Sequence, residues 1–162
     1  MRLKSSAVAP SLALKDVHGK PVAIGGTSGR RTLLCFFRDA ACPFCNFRIY
    51  ELTRHHASLA ALGLDVIAVF ASTPEEVRRF VARKPRPFVV VADPTSSAHE
   101  AYGIERSFWR KWKGVVSRIP TLLEGLRIVE AYYGSDAGDR IPFERIELFL
   151  ARSLLKRVAI AA

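Results

Sequence analysis

The sequence predicts an α/β fold in which a central mixed β-sheet is flanked by helices and preceded by a small β-hairpin. Three features predict it. From residue 31 to residue 103, short apolar runs alternate with helical stretches, the order that builds right-handed β-α-β units. Two strand-like pieces separated by turn residues come before that alternation. Past residue 118 the pattern changes to a proline-led hairpin and a last helix, which makes the sheet mixed rather than wholly parallel.

The elements follow in order. Ser11–Lys15 and Pro21–Ile24 read as strands, and Asp16-Val-His-Gly-Lys20 supplies the turn between them. Gly25–Gly29 is a loop that lacks the spacing and the lysine of a phosphate cradle. Arg31–Arg38 is a buried strand around the apolar run Leu33–Phe37. A helix then runs from Pro43 to about Ala61, with proline at a first-turn position where its missing N–H costs nothing. Cys45, Ile49, Leu52, His56 and Leu59 share its inner face. Gly63 closes that helix, and Leu64–Ala71 is a second buried strand. Ser72-Thr-Pro-Glu-Glu starts a helix expected to reach about Lys84. Strand Phe88–Ala92 follows, then a short helix opened by Asp93-Pro94 and stopped by Gly103. The final hairpin pairs Thr121-Leu-Leu with Leu126–Tyr133, and the last helix spans roughly Pro142 to Lys156. Residues 105–118 carry Phe108, Trp109 and Trp112 among basic side chains, and read either as packed aromatics or as a basic amphipathic surface segment.

Size and composition narrow the function. A chain of 162 residues matches a single domain spanning 1–162, and a domain of that size buries roughly 70% of its unfolded surface without needing disulfides. Its 49% hydrophobic and 25% charged residues are ordinary for a globular protein. The stretch Met1–Pro10 has no signal-peptide core, and no run approaches the ~18 apolar residues of a membrane span. A cytoplasmic, reducing location is therefore expected, with no membrane span. The net charge of +10 is scattered rather than blocked, so a solvated basic surface is a simpler reading than a nucleic-acid footprint.

The chemistry lies in Cys42-Pro43-Phe44-Cys45, delivered by a short loop onto the first turn of a helix. Side chains three apart in a helical turn are neighbours, so the two thiols can join. The helix N-terminus favours negative charge, and hence the thiolate of the first. Zinc needs four ligands, and no second C-x-x-C or spaced histidine pair accompanies this one, so no metal or other cofactor is expected. His55 and His56 are read as packing or surface residues, and Cys35 as a small apolar residue of its strand.

With these residues in order, the chain resembles the thioredoxin superfamily, and within it the alkyl hydroperoxide reductase/thiol-specific antioxidant branch with a C-P-x-C site. The resemblance rests on Ala9-Pro10-Ser-Leu, Phe36-Phe37-Arg38 through Cys42–Cys45, Ala92-Asp93-Pro94 with Ala101-Tyr102-Gly103, Ile119-Pro120-Thr121-Leu122, and Ala131-Tyr132-Tyr133-Gly134. It implies a thioredoxin-like fold. It also implies that Cys42 attacks and Cys45 resolves, with Pro43, Arg38, Arg118, Pro120 and Thr121 in support. Pro120 matches the position of the family's cis-proline. One departure stands out: the position of the peroxidase pattern that carries a hydroxyl, three residues before the reactive cysteine, holds Asp39.

Two activities remain open. The leading expectation is a thiol–disulfide oxidoreductase whose dithiol cycles to a Cys42–Cys45 disulfide. The alternative is a peroxiredoxin-like thiol peroxidase that reduces hydrogen or alkyl peroxides through a Cys42 sulfenic acid. Either needs a thiol electron donor, such as a thioredoxin or glutathione system. A non-enzymatic basic module on an anionic surface is the remaining reading.

Overall fold

The structure is a computed structural model that describes the backbone of residues 7–25, 31–104, 119–124, 127–131 and 141–161, and the side chains of 7–25, 31–104, 128 and 141–152. Two antiparallel strands, β1 (Leu12–Lys15) and β2 (Pro21–Ile24), form the N-terminal hairpin. Asp16 shapes its turn, accepting the N–H groups of His18 and Lys20, both at 2.8 Å. The main sheet contains β3 (Arg31–Phe37), β4 (Leu64–Phe70), β5 (Val89–Ala92), β6 (Ile119–Glu124) and β7 (Arg127–Ala131) in the order β5-β4-β3-β6-β7. β3, β4 and β5 are parallel, whereas β6 pairs antiparallel with β3 on one side and with β7 on the other. The expected mixed sheet is thus observed, with the strand that leads into the cysteine loop at its centre.

Both faces of β3 are buried, and the period-two alternation of a strand sorts its residues between two cores. Leu33, Cys35 and Phe37 point to one side, with Val66, Ala68 and Phe70 of β4. That side is covered by α1 (Pro43–Ala61), α2 (Pro74–Phe80) and the start of α4 (Phe143–Ala161). Leu34 and Phe36 point to the other, under α3 (Ser97–Ala101) and the hairpin. Phe37 and Phe70 stack at 4.7 Å between centroids across the parallel pair.

Several boundaries differ from expectation for local reasons. β3 ends at Phe37, one residue early, because Arg38 begins the cysteine loop. α2 stops at Phe80 rather than near Lys84. The residue before a proline disfavours helical backbone, and here Lys84 precedes Pro85. Arg86 Nε then takes up the Val81 carbonyl at 2.8 Å, satisfying one of the acceptors left by the early stop. The start of α2 is as the residues suggest: Thr73 and Glu76 form a reciprocal capping box. α4 continues to Ala161, beyond the expected Lys156.

The hairpin is anchored to the sheet rather than loosely appended. Val17 N donates to Val90 O at 3.0 Å, and Tyr102 Oη donates to Pro10 O at 2.9 Å. Gly25 closes this junction with a φ of +78°, and a Cβ there would lie 2.8 Å from Pro10 O. Both the left-handed backbone and the close approach demand glycine. Gly25→Ala is accordingly expected to cost about 2 kcal/mol, read as a lower urea midpoint with an unchanged slope.

Candidate active site

β3 runs into a tight loop, residues 38–42, and α1 starts from it. Side chains from four different segments hold that loop. Asp39 Oδ1 accepts Ala41 N–H at 2.8 Å, and Asp39 O accepts Cys42 N–H at 3.4 Å, folding the chain back on itself. Ser72 Oγ, from the loop after β4, accepts the buried Ala40 N–H at 3.0 Å. Asn46, in the first turn of α1, donates through Nδ2 to Ala40 O at 2.8 Å and to Cys42 O at 3.1 Å. His99 of α3 reaches the end of β3, its Nε2 lying 3.1 Å from Phe37 O. A carbonyl only accepts, so Nε2 is the donor in this contact. Nδ1 then faces Asp93 Oδ2 at 3.8 Å.

The two thiols at the helix start have unequal access. Cys42 is the N-cap of α1, partly buried and packed at the edge of the core, with Pro43 exposed beside it. Cys45 is fully buried, one turn further in. Cys42, Cys45 and Cys35 are all thiols rather than disulfides. Burial pushes the Cys35 thiol up to about 12, partly offset by the nearby charge of Arg48, so Cys35 stays protonated at neutral pH. This agrees with its reading as an apolar strand residue.

The remaining predicted residues are dispersed. Arg38 is half-buried at the strand end, immediately before the loop. Pro120 and Thr121 lie on β6, paired in register with Cys35 and Leu34, so the backbone of this segment runs beside the strand that feeds the site. No peptide bond is cis among the described residues, and the cis form expected at Pro120 is not observed. Arg118 and the aromatic segment 105–118 lie outside the described residues. His55 stacks on Phe143 at 4.1 Å, and His56 packs toward the Phe88 ring, consistent with packing roles for both. Among the described residues no group of three or more His, Cys, Asp or Glu could hold a metal ion, and no helix is long and apolar enough to cross a membrane.

Residue-by-residue reading missed Asn46, Ser72, His99 and Arg48. Asn46 had a usable signal, an amide four residues after an N-cap cysteine. Ser72 and His99 act from remote segments and carry none, and Arg48, on α1 itself, gives no local sign that it is buried. The Ser72 contact makes a specific prediction. Ser72→Ala leaves the buried Ala40 N–H without its acceptor, a loss of about 2 kcal/mol. Hydrogen exchange at Ala40 and Ala41 is expected to speed up more than the rest of the sheet.

Comparison with known proteins agrees with this geometry. The AhpC/TSA family profile matches residues 6–122, which include the loop and both helix-start cysteines. Peroxiredoxin Bcp of Escherichia coli is 28% identical over 124 residues, covering 75% of this chain and 80% of that protein. Peroxidoxin BcpB of Mycobacterium tuberculosis superposes with a TM-score of 0.77 at 13% identity, over 94% of this chain and 98% of that one. The thioredoxin domain of a thiol-disulfide oxidoreductase from Bacteroides vulgatus gives 0.67 at 19% identity, over 91% and 99% respectively. The two structural likenesses establish the thioredoxin-like fold, and the profile establishes the lineage. This chain belongs to the AhpC/TSA family of thiol-dependent oxidoreductases, built on the thioredoxin-like fold.

Proposed function

We propose that the protein is a peroxiredoxin-like thiol peroxidase in which Cys42 reduces hydrogen or alkyl peroxides and Cys45 resolves the product. The observation that carries this reading is the family match across the cysteine loop, with a peroxiredoxin relative along three-quarters of the chain. It puts peroxide ahead of the disulfide substrate that the residues alone favoured. Unequal burial supports the division of labour, since only Cys42 is partly open to solvent.

In the first step the Cys42 thiolate attacks the distal peroxide oxygen. The S–O bond forms, the O–O bond breaks, and the alkoxide or hydroxide leaves with a proton as alcohol or water. Cys45 sulfur then attacks the sulfenic sulfur, forming the S–S bond while hydroxide departs as water. An external dithiol restores both thiols by exchange. No step requires a metal or other cofactor. Pro43, Arg38, Arg118, Pro120 and Thr121 take the supporting roles that the family resemblance implies.

A second reading keeps a specific observation behind it. The hydroxyl position of the peroxidase pattern is Asp39, whose carboxylate is spent on the Ala41 N–H. A site without that hydroxyl suits a disulfide substrate better. Peroxide consumption and protein-disulfide reduction, measured on the same reduced protein, separate the two. Fast peroxide turnover with negligible disulfide reduction is expected, and the reverse pattern would overturn the proposal.

A further inference from the structure

Arg48 lies three residues after Cys45 on α1, and residues so spaced are neighbours on a helix surface, with Cβ atoms about 5–6 Å apart. Both face inward: Cys45 is fully buried and Arg48 is 6% exposed. A buried arginine is rare unless its charge is used or paired. Three contacts fix this one. Nη2 donates to Ile141 O at 2.9 Å, the guanidinium carbon sits 4.0 Å from the Phe143 ring centroid, and Nη1 lies 3.4 Å from Glu51 Oε2. Glu51 side chain is 28% exposed, so the balancing charge sits toward solvent while the cation sits toward the core.

The resolving step creates a need for that cation. Cys45 must attack as a thiolate, and burial without a counter-charge disfavours the thiolate. We propose that Arg48 is a positioning residue of the redox pair, its buried guanidinium favouring the Cys45 thiolate that resolves oxidised Cys42. Its charge also offsets part of the burial that pushes up Cys35, which packs in the same core as Cys45. The inference rests on the peroxidase reading for its kinetic part only. Among the described residues, the groups facing Arg48 include Glu51 on its own helix, Cys35 from β3, and the Ile141 carbonyl and Phe143 from the start of α4. His55 shares the Phe143 ring and lies 3.9 Å from Glu147.

Two readouts test it. In Cys42→Ser protein, ¹³Cβ shifts of labelled cysteines are followed with pH; Cys35, held up to about 12, stays silent through the neutral range. Arg48→Met is expected to lower the Cys45 thiolate fraction at neutral pH about tenfold, while Arg48→Lys retains most of it. Glu51→Gln, which removes the balancing charge, is expected to raise that fraction. In protein with all thiols present, single-turnover mixing with hydrogen peroxide then reads sulfenic acid formation and its conversion to disulfide separately. Arg48→Met should slow the second step about tenfold and leave the first unchanged. An unchanged Cys45 titration in Arg48→Met overturns the proposal. So does an equal slowing in Met and Lys variants, which would mark a contact role rather than a charge role. Should Arg48→Met fail to fold, an unchanged titration in Glu51→Gln overturns it instead. Absence of any sulfenic acid in the parent protein would count against the peroxidase reading alone, because the titration does not depend on the oxidant.

Discussion

Cys42→Ser is expected to reduce peroxide turnover by at least about 1,000-fold, since no other thiol is placed to replace it. Cys45 is fully buried, and Cys35 is both buried and held protonated. Cys45→Ser should behave differently. One equivalent of peroxide is consumed at the normal rate, no intramolecular disulfide forms, and excess peroxide drives Cys42 to the sulfinic or sulfonic acid. Peroxide consumption, thiol counting and intact mass on the same samples resolve the two variants. Unchanged turnover in Cys42→Ser would remove both the peroxidase and the disulfide-exchange readings together. Equal loss in both variants at the first turnover would show that the attacking and resolving roles are not divided as proposed.

The second large effect is on stability. Asp93 is 3% exposed at the end of β5 and organises the turn into α3. Its Oδ1 accepts from Thr95 Oγ1 at 2.8 Å and from Ser97 N and Oγ at 3.1 Å, and its Oδ2 accepts Ala98 N–H at 2.8 Å. Burial alone would raise its pKa. The interactions with His99, Ala98, Thr95 and Ser97 outweigh it and hold the carboxyl well below the usual carboxylate range. Asp93→Ala strands those donors and is expected to cost about 3 kcal/mol, roughly 10 °C in Tm for a chain of this size. The pH dependence has a definite sign. A depressed folded pKa stabilises fully above the unfolded value of about 3.9, and that stabilisation fades as pH falls toward the folded value. The gap between parent and Asp93→Ala should therefore be widest at neutral pH and narrow by about 1 kcal/mol at pH 3. A gap that is constant from pH 7 to pH 3 would argue against a charged, hydrogen-bonded Asp93. Because His99 joins this network to Phe37 O, the variant should also loosen the strand end that launches the cysteine loop.

The opening of α1 was legible because its signals are local. An apolar strand, a polar loop and a proline after the first cysteine define a helix start within a dozen residues, and the structure places Cys42 at the N-cap and Pro43 next to it. The capping box of α2 was legible for the same reason. The early end of α2 was harder, because helical propensity continues through Arg83 while the proline at 85 and the Arg86 contact to Val81 O decide the stop. α3 illustrates a different limit. Asp93 and Pro94 mark its approach, yet the helix begins only at Ser97, after a turn in which Ser96 takes a φ of +61° and the Asp93 carboxylate gathers the N–H groups.

By itself, the sequence determined the order of strands and helices, the mixed sheet and the thiol pair at a helix N-terminus. Each of these follows from periodicity and capping between residues near one another in the chain. Only the tertiary structure decided what surrounds that pair. Ser72 reaches Ala40 across 32 residues, His99 reaches Phe37 across 62, and Arg48 reaches Ile141 across 93. Contacts of that kind depend on which sheet edge and which helix face the folded chain brings together. A serine, a histidine or an arginine carries no local pattern that reveals its distant partner. The thiols that do the chemistry are visible in the string of residues, whereas the buried charge beside Cys45 appears only when α1 packs against the start of α4.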